Sequence, residues 1–190
     1  MNILIVGVGG QGTLLASRIL GNLASVLRVD CKLNEVHGMA QRGGSVVTHV
    51  KMGEKVYSPV ISEGDADVIL AFEALEAFRY RHFLKKGGAM VVNAQEIMPM
   101  PVITGVARYP ENVLEIMKKD YGAVVIDAQK YAAESGSVRA VNTVVLGCFA
   151  KKFGISYENA EKALEMSVKP KLLQINKTAL KKGYDILPII

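Results

Sequence analysis

The sequence predicts an α/β fold of three layers, with a mostly parallel sheet, an antiparallel ribbon and a helical C-terminal part. Short apolar runs with the length of buried strands alternate with segments of helical spacing, which is typical of a sheet covered by helices. An alternating, β-branched run over residues 46–57 indicates the antiparallel ribbon. Pro170 suits the first turn of a last helix, which Gly183 is expected to end. We expect one domain over residues 1–190, with a helical extension from about residue 156.

The composition argues against several classes of protein. Half of the 190 residues are hydrophobic, as in an ordinary globular chain. No apolar run approaches the ~20 residues that span a bilayer, and the first residues lack the basic region of a signal peptide. We therefore predict a cytoplasmic protein without a membrane partner. The formal charge is +5, but the lysines occur in pairs near predicted helix ends and form no basic stripe, so no nucleic-acid partner is expected.

The first twenty residues predict a strand, a tight glycine turn and a helix. Gly7, Gly9 and Gly12 fit the pattern G-x-G-x-x-G between strand and helix, which is the setting of a Rossmann-like turn. One glycine makes the turn, one lets a ligand approach the backbone, and one lets helix and strand pack closely. The start of the helix offers free N–H groups to an anion. The candidate anion site in this turn consists of Gly9, Gly10, Gln11 and Gly12.

The turn alone leaves several functions open. A dinucleotide-binding fold places an acidic residue about 20 positions further on, at the end of its second strand. Asp30 and Glu35 lie near that place, and neither falls clearly at the end of the strand. A freestanding NAD(P)-binding oxidoreductase and a nucleotide-sensing module are therefore alternatives. A further alternative is a tight turn that binds no ligand or that only serves an interface.

A polar segment over residues 35–44 is the second candidate site. Arg42 precedes two glycines and offers a guanidinium fork beside exposed backbone N–H groups, which suits an anion or a carboxylate. Gln41 adds amide donors and an acceptor. A plain loop whose glycines only permit unusual dihedral angles is the alternative. We favour a binding function for Gln41, Arg42, Gly43 and Gly44.

Two asparagines are further candidates. Asn142 lies in an otherwise apolar helix, so its side chain must find a partner or face a site. A hydrogen bond to a neighbouring loop and a ligand contact both stay open for Asn142, and we include it in the candidate site. Asn93 ends a predicted strand, where open α/β sheets place ligand contacts, and an asparagine turn is an equal alternative there.

The chain shows no catalytic or metal-binding constellation of its own. It lacks G-x-S-x-G, a Walker lysine and H-E-x-x-H. Cys31 and Cys148 stand alone and form no C-x-x-C, so these thiols by themselves cannot build an iron–sulfur or zinc site. We expect two free thiols, no catalytic residue and no metal ligand in this chain.

Together, the glycine turn and the segment over residues 35–44 point to one protein family far more specifically than either motif does alone. Residues 7–16 match the opening, and residues 35–46 match the second motif, of the gamma subunit or domain of 2-oxoacid:ferredoxin oxidoreductases. The sequence most resembles the indolepyruvate branch of that family, in which the domain is a separate chain. The end of the chain, with Asn176, Ala179 and Gly183, is similar as well. The resemblance therefore spans essentially the whole chain.

The resemblance implies an enzyme that oxidatively decarboxylates a 2-oxoacid, joins the acyl group to coenzyme A and reduces ferredoxin. The acid implied is indolepyruvate or another aryl pyruvate. Thiamine diphosphate and iron–sulfur clusters would carry the difficult chemistry on a large alpha subunit, and this chain would hold none of them. The chain would pack on that subunit and help to form the surface for coenzyme A. The motif positions that match are Gly9, Gly10, Gln11, Gly12, Gln41, Arg42, Gly43 and Gly44.

Overall fold

Six strands form one mixed sheet in a computed structural model that describes residues 1–38 and 43–187. The strands are β1 (Asn2–Val8), β2 (Asp30–His37), β3 (Ser45–Gly53), β4 (Ala66–Ala71), β5 (Leu84–Asn93) and β6 (Val124–Ile126). Their order across the sheet is β2-β3-β1-β4-β5-β6. Strands β1, β4, β5 and β6 run parallel, whereas β3 is antiparallel to both of its neighbours.

Helices cover both faces of this sheet. They are α1 (Thr13–Val26), α2 (Ala74–Tyr80), α3 (Met100–Ile103), α4 (Val113–Tyr121), α5 (Ala128–Glu134), α6 (Val141–Lys152), α7 (Tyr157–Glu165) and α8 (Pro170–Asp185). The side chains of β1 alternate between two cores: Ile3 and Ile5 pack with α1, α6, α7 and α8, and Leu4 and Val6 pack with α2 and α4. The predicted Rossmann-like three-layer fold is therefore confirmed. In the described part of the chain, every helix is too short or too polar to cross a bilayer.

The antiparallel ribbon lies earlier in the chain than predicted. It pairs β2 with β3, so that Asp30 lies opposite Gly53, and residues 55–57 do not return as a strand. Instead, the Val56 N–H donates to the Asp30 carboxylate at 2.8 Å. The prediction of a ribbon over residues 46–57 was wrong because β3 already has a neighbour on each side, and strand pairing depends on distant segments.

Helices α6 and α8 meet at two glycines. A Cβ on Gly147 would lie 2.7 Å from the Tyr184 nitrogen, and one on Gly183 would lie 2.8 Å from the Val144 carbonyl carbon. Real Cβ atoms do not approach backbone so closely, and only glycine allows the two helices this separation. Gly183 therefore lies inside α8 and does not end it, as the sequence had suggested.

We predict that Gly183→Ala lowers the free energy of unfolding by about 1–3 kcal/mol, because the added methyl group forces α6 and α8 apart. Urea denaturation of the purified protein measures this. Gly21→Ala in α1 is the matched control, since its methyl group would meet only the end of the Leu33 side chain, at 3.2 Å. Equal stability of the two variants would contradict the proposed role of the helix contact.

Candidate functional site

The carboxyl ends of β1, β4, β5 and β6 meet at one edge of the sheet, where open α/β sheets place their ligands. We call this the carboxyl edge. The glycine turn, residues 7–12, begins within the last two residues of β1, and Glu73 lies just after β4. Asn93 ends β5, and Gln95 lies just beyond it. Because β3 runs in the opposite direction, it begins at this edge with Ser45.

Two glycines of the turn have positive φ angles, for different structural reasons. Gly10 has φ +103°, and a Cβ on it would meet no atom of the described residues within 4 Å. Gly12 has φ +84° and precedes α1, and a Cβ on it would lie only 2.6 Å from Nδ2 of Asn142. The backbone at Gly10 is therefore open to a ligand, whereas Gly12 lets α6 approach the turn.

Gln11 braces the turn from within. Its Oε1 accepts from the Val8 N–H at 2.8 Å. Its Nε2 donates to the Phe72 carbonyl and to Oε1 of Gln95, both at 3.0 Å. Both amide hydrogens are thus used inside the protein, and the side chain ties the end of β1 to the ends of β4 and β5.

Asn142 also binds the turn. The residue is 1% exposed, and its Nδ2 donates to the Gly12 carbonyl at 3.0 Å. Its Oδ1 accepts from the Thr143 N–H at 2.8 Å. The Thr143 hydroxyl then donates to Oδ1 of Asn176 on α8 at 2.8 Å. Of the two roles open to Asn142, the structure shows the hydrogen bond to a neighbouring loop.

Asn93 joins three segments behind the edge. Its Nδ2 donates to the Phe72 carbonyl at 3.0 Å, and its Oδ1 accepts from the Ala128 N–H at 3.1 Å. The side chain is fully buried. It therefore ties the end of β5 to β4 and to the first residue of α5.

The structure brings the two predicted segments together. The Gly9 N–H donates to the Gly44 carbonyl at 2.9 Å, and the Gly43 N–H donates to the Gly9 carbonyl at 3.4 Å. Gly43 has φ +73°, and a Cβ on it would meet no atom of residues 1–38 or 43–187 within 4 Å. Gln41 and Arg42 lie outside the described residues. They directly precede the pair of glycines that contacts the turn.

Two buried glutamates at this edge were missed by sequence reasoning. Glu73 and Glu76 are 1% and 2% exposed. Glu73 caps α2, with Oε2 accepting from the Glu76 N–H and Oε1 from the Ile97 N–H, each at 2.8 Å. Glu76 accepts from Nη1 of Arg79 at 2.7 Å and from Oγ of Ser45 at 2.5 Å. The available signal was a capping pattern, with two glutamates three residues apart after a buried strand.

The environment of Glu73 disfavours its charge. Burial raises the pKa of this carboxyl, the N–H groups of Ile97 and Glu76 lower it in part, and the nearby Glu76 carboxylate raises it further. The hydroxyl of Tyr109 lies 3.5 Å from Oε1 of Glu73. Burial raises the pKa of this tyrosine as well, and the charge of Glu73 adds to the effect.

The sheet order does not suit a dinucleotide. A ribose-binding acid belongs at the end of the parallel strand beside β1 on this side, but here that neighbour is the antiparallel β3. Asp30 begins β2, and its carboxylate accepts from the Val56 N–H. Glu35 lies within β2, two strands away from β1, and accepts from the Thr48 hydroxyl at 3.1 Å.

The described residues offer no ready metal site. Within residues 1–38 and 43–187, no three His, Cys, Asp or Glu side chains are grouped so that they could hold a metal ion. Cys31 is half-buried and Cys148 is buried, and both are free thiols. Burial raises the pKa of Cys148 to about 11, so this thiol stays protonated at neutral pH.

Comparison with known proteins identifies the family. Residues 2–186 match the family described as pyruvate ferredoxin/flavodoxin oxidoreductase. The chain belongs to this family. The resemblance stated from the two motifs is thereby confirmed, and so is the prediction that the chain is a subunit of an enzyme, a ferredoxin oxidoreductase for 2-oxoacids.

Relatives match over nearly the whole chain. Indolepyruvate oxidoreductase subunit IorB of Thermococcus kodakarensis is 42% identical and covers 96% of this chain and 93% of its own. The subunit of the same name from Archaeoglobus fulgidus is 41% identical, and the match covers 97% of this chain and 94% of that subunit. Pyruvate synthase subunit PorC of Methanocaldococcus jannaschii is 28% identical, with 94% and 92% covered.

Solved structures share the fold. The gamma subunit of a keto/oxoacid ferredoxin oxidoreductase from Geobacter sulfurreducens has a TM-score of 0.71 at 24% identity, with 97% of this chain and 96% of that chain covered. A 2-oxoglutarate:ferredoxin oxidoreductase from Magnetococcus marinus has a TM-score of 0.66 at 20% identity. There the match covers all of this chain but only 32% of the longer one.

The burial of Glu73 leads to a prediction about pH. Because the folded state holds the Glu73 proton more tightly than the unfolded state, this group's contribution to stability is largest at low pH. It declines as the pH rises from about 4.5 through the raised pKa. Glu73→Gln cannot titrate, but it leaves one backbone N–H without an acceptor, which costs about 1–3 kcal/mol.

We therefore expect the variant to be less stable than the wild type at low pH, and the gap to shrink as the pH rises. Urea denaturation of both proteins between about pH 4.5 and about pH 8 measures the gap. Glu54→Gln, at an exposed carboxylate, is the control. A gap that does not depend on pH would show that Glu73 carries no titration linked to folding.

Proposed function

We propose that the chain is the small subunit of an indolepyruvate or aryl-pyruvate ferredoxin oxidoreductase. The observation that carries this proposal is the contrast in identity among relatives of equal coverage. Three indolepyruvate oxidoreductase subunits are 41–42% identical and a fourth is 32% identical, whereas a pyruvate synthase subunit and the common gamma subunit of Pyrococcus abyssi are 28% and 27% identical. The higher identity to the indolepyruvate subunits supports the assignment to that branch.

The partner in this proposal is a large alpha subunit that carries thiamine diphosphate and iron–sulfur clusters. Those groups supply the decarboxylation and the electron transfer to ferredoxin. The 2-oxoglutarate enzyme supports the idea of tight packing, since the same fold is there one part of a longer chain. The assembly would work in the cytoplasm.

The role proposed for this chain is to form part of the surface for coenzyme A. Among the described residues, Gly10 and Gly43 leave open space where a side chain would stand, and the glycine turn leads directly into the first N–H groups of α1. Such a surface suits a phosphate group. Arg42 would add a guanidinium fork next to Gly43. The 2-oxoglutarate enzyme, in which this fold covers 32% of the chain, was solved with coenzyme A and succinyl-CoA bound.

In this division of labour, the chain's own residues bind and orient, and no residue of the described part performs chemistry on the 2-oxoacid. Gly9, Gly10 and Gly12 shape the turn, while Gln11 and Asn142 keep it fixed from inside through their hydrogen bonds to Val8 and Gly12. A fixed backbone costs less entropy when a ligand binds than a mobile loop does.

Formation of the complex is the first test. Co-expression with the large subunit should give a stable complex by size-exclusion chromatography, and reduction of ferredoxin by indolepyruvate should require both chains. Titration of this chain with NADH and NADPH, followed by thermal stability, should give no shift. Micromolar binding of either nucleotide, with no complex formed, would instead favour a freestanding NAD(P)-binding oxidoreductase or a nucleotide-sensing module.

Arg42→Ala provides the second test, in the assembled enzyme. Loss of a charge-assisted hydrogen bond to the anionic part of coenzyme A should raise the KM for coenzyme A about tenfold or more. The KM for indolepyruvate should stay the same. Arg18→Ala, at an exposed arginine of α1, is the control and should change neither constant. An unchanged KM with weaker subunit association would make Arg42 an interface residue.

A further inference from the structure

Hydrogen bonds hold the glycine turn on two sides, and the short helix α2 connects the segments on both sides. On one side the turn contacts the start of β3 through the Gly9–Gly44 hydrogen bond of 2.9 Å. On the other side it contacts the segment after β5, through the bond of 3.0 Å between Gln11 and Gln95. The first turn of α2 touches both of these neighbours. Hydrogen bonds therefore form a closed ring around the turn.

One arm of the ring runs through Glu76. Its Oε2 accepts from Oγ of Ser45, the first residue of β3, and the hydroxyl of Tyr80 lies 3.3 Å from the same Oγ. Ser45 directly follows Gly43 and Gly44, whose backbone pairs with Gly9. The Glu76 carboxylate thereby holds the chain at the point where the predicted binding segment joins the sheet.

The other arm runs through Glu73. This carboxylate accepts from the Ile97 N–H at 2.8 Å, and the Ala74 N–H donates to the Gln95 carbonyl at 2.9 Å. The Gln95 side chain then meets Gln11. Since Glu73 also caps the N–H of Glu76, the two arms are joined through a single turn of helix.

Neither glutamate reaches a ligand. Both are at most 2% exposed, so any effect on binding must act through the groups that they hold. Hydrogen bonds to ionised acceptors are the stronger kind and have the narrower geometry. A buried carboxylate that receives the Ser45 hydroxyl can therefore fix the position of Gly43 and Gly44 more tightly than a neutral contact would.

We propose that Glu76 is a positioning residue for the coenzyme A surface: through Ser45 it sets Gly43 and Gly44 against the glycine turn. This inference rests on the proposed function. A side chain that only stabilises the fold would change the free energy of unfolding and leave the kinetic constants unchanged. A positioning side chain changes the KM for one substrate, and a variant that keeps its hydrogen bond restores that constant.

The experiment compares Ser45→Ala with Ser45→Thr in the complex with the large subunit. Ser45→Ala removes the donor and should raise the KM for coenzyme A about 5- to 20-fold, with kcat and the KM for the 2-oxoacid unchanged. Ser45→Thr keeps a hydroxyl at the start of a strand and should return the KM to within about twofold of the wild-type value. Glu76→Gln, which weakens the acceptor without changing its shape, should also raise that KM.

Ser167→Ala is the matched structural control. The Ser167 hydroxyl also makes two hydrogen bonds, to Asn22 at 2.8 Å and to the Ala163 carbonyl at 2.7 Å, but it lies between α1 and α7, outside the ring. This variant should lower the thermal midpoint and leave the KM for coenzyme A unchanged. Thermal unfolding of each complex, measured beside its kinetics, separates loss of stability from loss of positioning.

The outcomes distinguish this inference from the function on which it rests. If Arg42→Ala raises the KM for coenzyme A and Ser45→Ala does not, the surface is as proposed and Glu76 does not position it. If Ser45→Thr fails to restore the constant, the hydroxyl is not the group that matters, and the inference is wrong. If neither Arg42→Ala nor Ser45→Ala changes the constant, the proposed surface itself is wrong.

Discussion

The antiparallel insertion of β3 between β2 and β1 is the constraint on which the candidate site depends. Because β3 begins at the carboxyl edge, Gly43, Gly44 and Ser45 arrive beside the glycine turn, where a dinucleotide-binding sheet would end its second strand. The same insertion moves Glu35 two strands away from β1. One change in strand order thus replaces a ribose-binding acid with a second stretch of open glycine backbone.

The polar side chains of this edge mostly bind the backbone of neighbouring segments. Gln11, Asn93 and Asn142 use their amide groups on backbone atoms of neighbouring segments, and two glutamates are buried behind them. In the described part of the chain, what stays open is backbone, at Gly10 and Gly43. Buried polar networks of this kind fix one arrangement, since a partly satisfied network is costly. Among the described residues, this edge is therefore open glycine backbone held in place by buried polar side chains.

Local sequence signals predicted the parts of this structure that are local. The strand, turn and helix of the first 26 residues follow from an apolar run, four glycines and helical spacing within one stretch. The hydrogen-bond partners of individual side chains could not be predicted in this way. Gln11 meets residues 61 and 84 positions further on, and Glu76 meets Ser45 31 positions earlier, so their roles exist only after folding. Gly183 suggested a helix end because its true reason, the crossing with α6, lies outside its own segment.

The crossing of α6 and α8 also bears on how the protein is made. Residues 141–150 of α6 are all buried, and α8 covers them only after residues 170–185 have been synthesised. A ribosome releases the apolar helix first, so for a short interval of translation its future neighbour does not exist. The largest core is completed late, after the sheet and the glycine turn are already available. Nascent chains would then pass through a stage in which the carboxyl edge is assembled while α8 does not yet cover α6.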